Sequence, residues 1–189
     1  MQRGNEKGST MREREEVVAT ILGAAGGEMT GRVRLQKTVY LLDRLGLGSG
    51  FAFDYHHYGP FSRDLDNATA DAKAFNLIDE KFDRRHSDGA VYSIFTLKSK
   101  PASSTFGKLS ATRAHDIVRR FAQTNVTVLE LAATIDWVWR VEKVADWRVE
   151  VTKRKGVKVQ SGRLEKAVEL LTELSLAPPR IPAVKRETT

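Results

Sequence analysis

The stretch from Gly31 to Ser62 constrains the fold of this chain more than any other. Apolar residues at helical spacing predict a helix from about Gly31 to Leu45, with Thr30 as its N-cap. Three glycines between positions 46 and 50 should end that helix, because glycine adopts left-handed backbone angles with little strain. An alternating aromatic run at positions 51–58 then predicts a strand, Gly59-Pro60 ends it, and Ser62 is placed to cap another helix. Sharp turns this close together predict a compact fold with fixed corners.

The rest of the first half completes a familiar order of elements. The sequence predicts a first helix from Arg12, a third helix from Ser62 to Leu77, and two strands, Ile78 to Arg85 and Ala90 to Lys98. The Asp-Gly pair between these strands is a strong hairpin signal. Three helices followed by a hairpin is the order of a winged helix-turn-helix domain, so we expect such a half over residues 12–98.

The second half is predicted to be helical. A polar connector at residues 99–109 precedes helices capped by Ser110 and Thr127, a segment around Trp147, and a last helix from Arg163 to Leu174. Residues 1–11 and 177–189 are expected to be a disordered N-terminus and a disordered tail. We therefore predict an α+β protein that is predominantly α, with the winged-helix-like half packed on a helical half over residues 110–176.

Composition excludes several classes of protein. The 189 residues include no cysteine, which excludes disulfides, thiolate metal sites and cysteine nucleophiles. No apolar run approaches the ~20 residues of a membrane span, and the N-terminus has no apolar signal segment. We expect a cytoplasmic protein that does not associate with a membrane.

The net charge of +7 comes from the second half of the chain. Residues 1–98 hold 14 basic and 14 acidic residues, whereas residues 99–189 hold 17 and 10. The densest segment, here called the basic run, has one glutamate and these cations: Arg148, Lys153, Arg154, Lys155, Lys158 and Arg163. Three interpretations stay open, in falling order of preference: a solvated helix end, a surface for an acidic protein partner, and non-specific binding of nucleic acid.

The predicted third helix argues against the usual DNA docking of a winged helix. Such domains place this helix in the major groove, where DNA phosphates favour basic residues. Here the helix carries three aspartates against Arg63 and Lys73, and the hairpin that follows is neutral. Nucleic acid is therefore our second choice of partner, after a protein.

No residues form a known catalytic or metal-binding pattern. His56 and His57 are adjacent in a predicted strand, so their side chains point to opposite faces and do not readily share one ion. We expect His57 at the edge of the core. No nucleophile elbow, phosphate-binding loop or dinucleotide fingerprint occurs. We predict a non-enzymatic protein without a metal or cofactor.

One set of motifs resembles a known family. Arg34-Leu35-Gln36-Lys37, Tyr40-Leu41-Leu42 and Tyr58-Gly59-Pro60-Phe61-Ser62 resemble the signature of the SocA-like (Panacea) antitoxin domains, and most closely that of their phage-associated YwgA-like relatives. The likeness resumes at residues 129–134 and around Trp147, so it spans roughly residues 12–176. It implies a winged-helix-like fold and a non-enzymatic protein of the antitoxin type. Such a protein neutralises a partner, which can be a toxin, or presents it to another protein in a toxin–antitoxin or phage-defence system.

The resemblance also selects candidate residues. The eight motif positions that we predict to bind a partner or to define the family are Leu35, Gln36, Lys37, Tyr40, Tyr58, Gly59, Pro60 and Ser62. Gln36 and Lys37 are polar members of an otherwise packing helix, so we expect them to contact the partner. Lys37→Glu should then weaken partner binding without loss of fold. The alternative is a winged-helix nucleic-acid-binding regulator that uses the basic second half.

Overall fold

A computed structural model of the protein describes residues 13–102 and 104–179. These residues form a mixed α/β, predominantly helical protein with a small antiparallel sheet, as the sequence predicts. They divide into two compact units. Unit 1 contains the described residues up to Phe53 together with Ser62–Gln123, and unit 2 contains Asp54–Phe61 and the described residues from Thr124 onward. The disorder predicted for residues 1–11, and for residues 180–189 of the tail, lies outside the described residues. For residues 177–179, the start of the predicted tail, the prediction is wrong, because the Ala177 N–H donates to the Leu171 carbonyl at 3.1 Å and Pro178 is buried.

The helices and strands lie close to the predicted ones. In chain order they are α1 (Arg14–Ala24), β1 (Glu28–Thr30), α2 (Arg32–Leu45), β2 (Asp54–His56), β3 (Gly59–Phe61), α3 (Arg63–Ala74), β4 (Ile78–Arg84), β5 (Val91–Leu97), α4 (Ala111–Gln123), α5 (Val126–Asp136), a π-helical turn (Trp137–Val141), α6 (Trp147–Lys155), a 3₁₀ turn (Gly156–Val159) and α7 (Arg163–Glu173). The predicted hairpin of β4 and β5 is confirmed. The aromatic strand predicted at positions 51–58 is wrong in length, because only Asp54–His56 pairs with a partner strand.

The core of unit 1 surrounds α1. Val17, Val18, Ile21 and Leu22 have no exposed surface, and the helix contacts α3, α4 and β5. Apolar residues at this spacing predicted the buried stripe. Because these side chains face three neighbouring elements, α1 forms the interior of the unit.

The sheet of unit 1 has three antiparallel strands in the order β1-β5-β4. Strand β1 was not predicted, since three residues are too few to show a period of two. It is fixed by its register, in which Met29 lies opposite Phe95, and both side chains are buried. The middle strand β5 is therefore paired on both sides.

Two of the predicted helix caps are wrong and two are confirmed, one of them Ser110, whose Oγ accepts from the Arg113 backbone N–H at 3.3 Å before α4. Thr30 belongs to β1, and α2 begins after Gly31, whose φ of +95° favours glycine. The N-cap of α5 is Asn125, because Thr127 donates its own backbone N–H to the Asn125 side chain at 2.9 Å. Ser62 caps α3 as predicted, accepting a hydrogen bond from the Leu65 backbone N–H at 3.2 Å.

Unit 2 is arranged around α5. Every residue from Val128 to Asp136 is buried, and the helix contacts α6, α7 and β3. A helix with apolar side chains on nearly all sides was predicted to be central, and this prediction is confirmed. In the part of the chain that the structure describes, no helix combines the length and apolar character that crossing a membrane requires.

Strand β4 lies at an edge of the sheet, and two aspartates cover part of that edge. The Leu77 carbonyl accepts from the Lys98 N–H, and the Arg85 N–H donates to the Ala90 carbonyl. The backbone N–H and C=O groups of odd-numbered residues in β4 therefore point toward β5, and those of even-numbered residues point toward the open edge of the sheet. The outward N–H of Glu80 donates to Asp79 Oδ1 at 3.0 Å, and that of Arg84 donates to Asp83 Oδ1 at 2.7 Å. Open edge strands pair with other chains unless something blocks them. We infer that these carboxylates oppose such pairing.

Replacing both aspartates should therefore promote self-association. Asp79→Ala/Asp83→Ala leaves the two outward N–H groups open, so we expect the average mass to rise with protein concentration in sedimentation velocity. Asp71→Ala/Asp116→Ala removes the same charge from exposed helical positions and should stay at the wild-type mass. Equal masses for the two double variants would contradict the blocking role.

Candidate functional site

The eight motif positions are distributed over both units. Five of them lie in unit 1 and three, Tyr58, Gly59 and Pro60, lie in unit 2. Seven are buried, whereas Tyr58 has 51% of its surface exposed. The motif therefore consists mainly of residues that build the fold and leaves a single aromatic ring at the surface.

Gln36 is bound to the backbone of the motif's last residue. Its Nε2 donates to the Ser62 carbonyl at 2.9 Å, and the Ser62 N–H donates to its Oε1 at 2.9 Å. Both residues are buried. Because Ser62 caps α3, Gln36 fixes the position where that helix begins. We expected Gln36 to contact a partner, but its amide is used inside unit 1, so its role is to position α3.

Lys37 is also inside the protein, with 1% of its surface exposed. A side chain buried to this degree does not touch a partner, contrary to our expectation from the sequence. Lys37→Glu would place a carboxylate where an ammonium is buried, so the expectation that this variant folds normally no longer holds. Leu35 and Tyr40 are core residues, and the Tyr40 ring packs edge-on against Phe53 at 5.2 Å.

The β2–β3 hairpin carries the Tyr-Gly-Pro sequence against α5. Gly59 has a φ of +84°, and a Cβ added there would lie 2.7 Å from Thr134 Oγ1, so this position accepts only glycine without strain. Pro60 is buried and lies opposite Tyr55 in the hairpin register. His57 is exposed, not at the core edge as predicted, because the strand ends at His56 and His57 belongs to the turn.

An ionic group around a buried carboxylate, which we call the Glu130 cluster, holds this hairpin. It consists of Glu130, Lys155 and Lys158. Lys155 Nζ lies 2.9 Å from Glu130 Oε1, and Lys158 Nζ lies 2.9 Å from both carboxylate oxygens. Lys155 Nζ also donates to the His57 carbonyl at 3.0 Å, which ties α6 to the turn. Burial lowers the pKa of Lys155, an effect that the hydrogen bond and charge of Glu130 partly oppose.

A second ionic group lies around Arg154. The guanidinium donates to Glu142 at 2.9 and 2.7 Å and to Glu150 at 2.6 Å. It also lies over the Tyr55 ring, 4.6 Å from the ring centroid. The hydrogen bond to Glu142 is the main reason that the pKa of Arg154 is raised. Burial in turn raises the pKa of Tyr55.

Most of the basic run is therefore engaged within unit 2. Arg154, Lys155 and Lys158 bind carboxylates, and Arg163 donates to the carbonyls of Val157 and Lys158, each at 2.8 Å. The Arg148 guanidinium lies 4.6 Å from the Trp147 ring centroid, and Lys153 is exposed. The positive charge presented to solvent is smaller than the sequence count suggests.

Two signals in the sequence could have indicated these pairs. Glu150 and Arg154 have the i,i+4 spacing of a helical ion pair. Glu130 is the one charged residue between Val126 and Ile135, and a carboxylate is rarely buried without a partner. The partners of Glu130 are 25 and 28 positions away, so only the fold identifies them.

Cations bind both carboxylates of the site, Glu130 and Glu142. Among the described residues, no group of three or more His, Asp or Glu side chains could hold a metal ion. The arrangement instead fixes a turn at the protein surface.

A scan against models of known protein families finds no match for this chain, and a search of curated proteins finds none either.

Removing the Gln36 amide should destabilise unit 1. Gln36→Ala leaves the buried Ser62 N–H without its partner, while the Ser62 carbonyl keeps its bond from the Asp66 N–H at 3.2 Å, so we expect a cost of roughly 1–3 kcal/mol of unfolding free energy. Gln36→Glu should also destabilise, because a carboxylate does not donate to the Ser62 carbonyl. Urea unfolding followed by circular dichroism measures both, with the exposed Gln123→Ala as the control. A Gln36→Ala protein as stable as this control would contradict the positioning role.

Breaking the Glu130 cluster should destabilise unit 2. Glu130→Leu leaves two lysines without their carboxylate, one of them buried, and should cost about 3–5 kcal/mol. Adding Lys155→Met removes the buried charge and should restore much of the loss. All three tryptophans of the chain lie in unit 2, so their fluorescence during urea unfolding reports on that unit.

The exposed Glu165→Leu is the matched control for this experiment. A loss below about 1 kcal/mol in Glu130→Leu would place the cluster among the ion pairs that contribute little to stability.

Proposed function

We propose that this protein is a non-enzymatic protein-binding module of the antitoxin type, acting in the cytoplasm. It neutralises a partner protein or presents it to another protein, in a toxin–antitoxin or phage-defence system. The antitoxin role is what the resemblance of the motifs implies, and the observation that supports protein binding is the division of the motif into seven buried positions and one exposed aromatic ring, Tyr58. A motif that builds a rigid turn with an exposed tyrosine suits recognition of a protein surface, where tyrosine is enriched.

We further propose that unit 1 has a winged-helix-like arrangement. Three features support it: the order α1, β1, α2, α3, β4, β5, the strand order β1-β5-β4, and the hairpin that follows α3. The same fold is used by DNA-binding proteins, so it does not select between protein and nucleic acid as the partner.

The charges favour a protein over nucleic acid. Asp64 and Asp66 lie on α3 and pair with Arg14 and Arg32, at 3.2 and 2.9 Å, so this helix does not present a basic face to a phosphate backbone. In unit 2 the basic run is largely bound to the protein's own carboxylates and carbonyls. Binding of a nucleic acid gains its affinity from cations that are free to neutralise phosphates.

The proposal is tested by partner capture followed by a growth assay. The tagged full-length chain is recovered from its native host with and without nuclease, and stoichiometric proteins are identified by mass spectrometry. We expect one protein to survive nuclease, to stop growth when it is expressed alone, and to permit growth when this chain is co-expressed. Capture that disappears with nuclease would overturn the proposal in favour of a nucleic-acid-binding regulator.

Salt and one charge variant separate the two functions further. Nucleic-acid binding should weaken steeply between about 50 and 200 mM salt, and Lys153→Glu, which reverses an exposed cation of the basic run, should weaken it again. A protein partner bound through an aromatic anchor should respond much less to either change.

A further inference from the structure

The turn between β2 and β3 holds an exposed aromatic ring in a defined position. Tyr58 is 51% exposed, yet its ring has contacts on two sides. Lys158 Nζ lies over the ring at 4.7 Å from its centroid, and the His57 ring meets it edge-on at 4.8 Å. A ring held this way loses little conformational entropy when a partner covers it. We call His57, Tyr58 and Lys158 the Tyr58 corner.

The backbone of this corner is anchored to the interior of unit 2. Lys155, whose side chain is 2% exposed, donates to the carbonyl of His57. Gly59 brings the backbone so close to Thr134 that a Cβ would lie 2.7 Å from its hydroxyl. The corner is therefore pre-organised, and a partner does not have to order it on binding.

Within the Glu130 cluster, which anchors the corner, the lysines outnumber the carboxylates. Glu130 is the single carboxylate bound by both Lys155 and Lys158, so this group of three carries one positive charge in excess. Lys155 is enclosed, whereas the Lys158 side chain is 33% exposed. Lys158 is therefore the cation of the cluster that a carboxylate of a partner can approach, and it lies beside the Tyr58 ring.

We propose that the Tyr58 corner is the docking surface for an acidic segment of a partner protein. A carboxylate of that segment lies beside Lys158, and an apolar side chain of the segment covers the exposed part of the Tyr58 ring. This inference rests on the proposed protein-binding function and adds the surface and the chemistry of the partner. It involves no binding through Gln36 or Lys37, which are buried.

A nucleic acid fits this surface less well than an acidic peptide. Affinity for single strands comes from a row of free cations and from aromatic faces on which bases stack. Among the described residues, the lysine beside this ring that reaches solvent is Lys158, which is partly exposed and covers one face of the ring. Arg154 and Arg163 are bound to other groups of unit 2.

The test uses a phage-displayed library of random dodecapeptides, selected on the immobilised full-length chain. The selected peptides are synthesised, and their affinity is measured by fluorescence anisotropy. We expect Asp and Glu next to an apolar residue to be enriched, and we expect Tyr58→Ala to weaken binding by about tenfold or more. His57→Ala, which removes only an exposed ring, should weaken binding by a smaller factor.

Phe75→Ala is the matched control, because Phe75 is another exposed aromatic residue, 64% exposed, in unit 1. This variant should bind the peptides as the wild type does. Circular dichroism of each variant identifies any loss of fold, and His57→Ala tests the corner even if Tyr58→Ala unfolds.

Three results would overturn the inference. Selected peptides that are not enriched in Asp and Glu would contradict the proposal that the partner segment is acidic. Acidic peptides that bind both corner variants as tightly as the wild type would show that the Tyr58 corner is not the docking surface, although the protein still binds acidic peptides. Binding of an oligothymidine probe of about 20 nucleotides that is lost in Tyr58→Ala would assign the corner to nucleic acid. Failure of partner capture, by contrast, bears on the proposed function and not on the peptide result.

Discussion

The burial of Glu130 is the constraint on which the architecture of unit 2 depends. An ionised carboxylate inside a helical core is costly unless cations and hydrogen bonds surround it. Lys155 and Lys158 supply them, and they reach Glu130 from the end of α6 and from the 3₁₀ turn that follows. Because Lys155 also binds the His57 carbonyl, the interaction that satisfies the carboxylate also holds the β2–β3 hairpin in place. Core packing, charge compensation and presentation of the turn therefore depend on the same few atoms.

The hairpin joins residues that are far apart in the chain. Lys155 and the carbonyl that it binds are 98 positions apart, and the strands of the hairpin lie in the sequence between α2 and α3 of unit 1. Contacts between residues so far apart in sequence close long loops, and chains that depend on them fold more slowly than chains with local contacts. Ser62, the first residue of unit 1 after the hairpin, is held by hydrogen bonds to the Gln36 side chain. The order of the motif along the sequence thus follows the path of the chain out of unit 1 and back.

The sequence predicts the parts of this structure that depend on local rules. The buried stripe of α1, the cap at Ser62 and the Asp-Gly hairpin follow from periodicity and turn chemistry. Strand β1 is too short to carry a period, and the π-helical turn after α5 has no signature that periodicity detects. For the site, the Tyr-Gly-Pro corner could be located from sequence, whereas the burial of Gln36 and Lys37 could not. Polar residues are usually exposed, and only tertiary structure shows that a distant backbone uses the Gln36 amide.

The discontinuity of unit 2 has a consequence for how this protein can be divided or recombined. A fragment that begins at Thr124 carries α5, α6 and α7 but not the strand whose glycine lies against Thr134. Such a fragment would expose the part of α5 that β3 covers and leave Lys155 without its carbonyl partner. The helices of unit 2 therefore cannot be moved to another protein on their own. A gene fusion or deletion that is to preserve the fold of unit 2 must keep Asp54–Phe61 in the same chain. Sequence change in the first half of the gene is in this way constrained by the second.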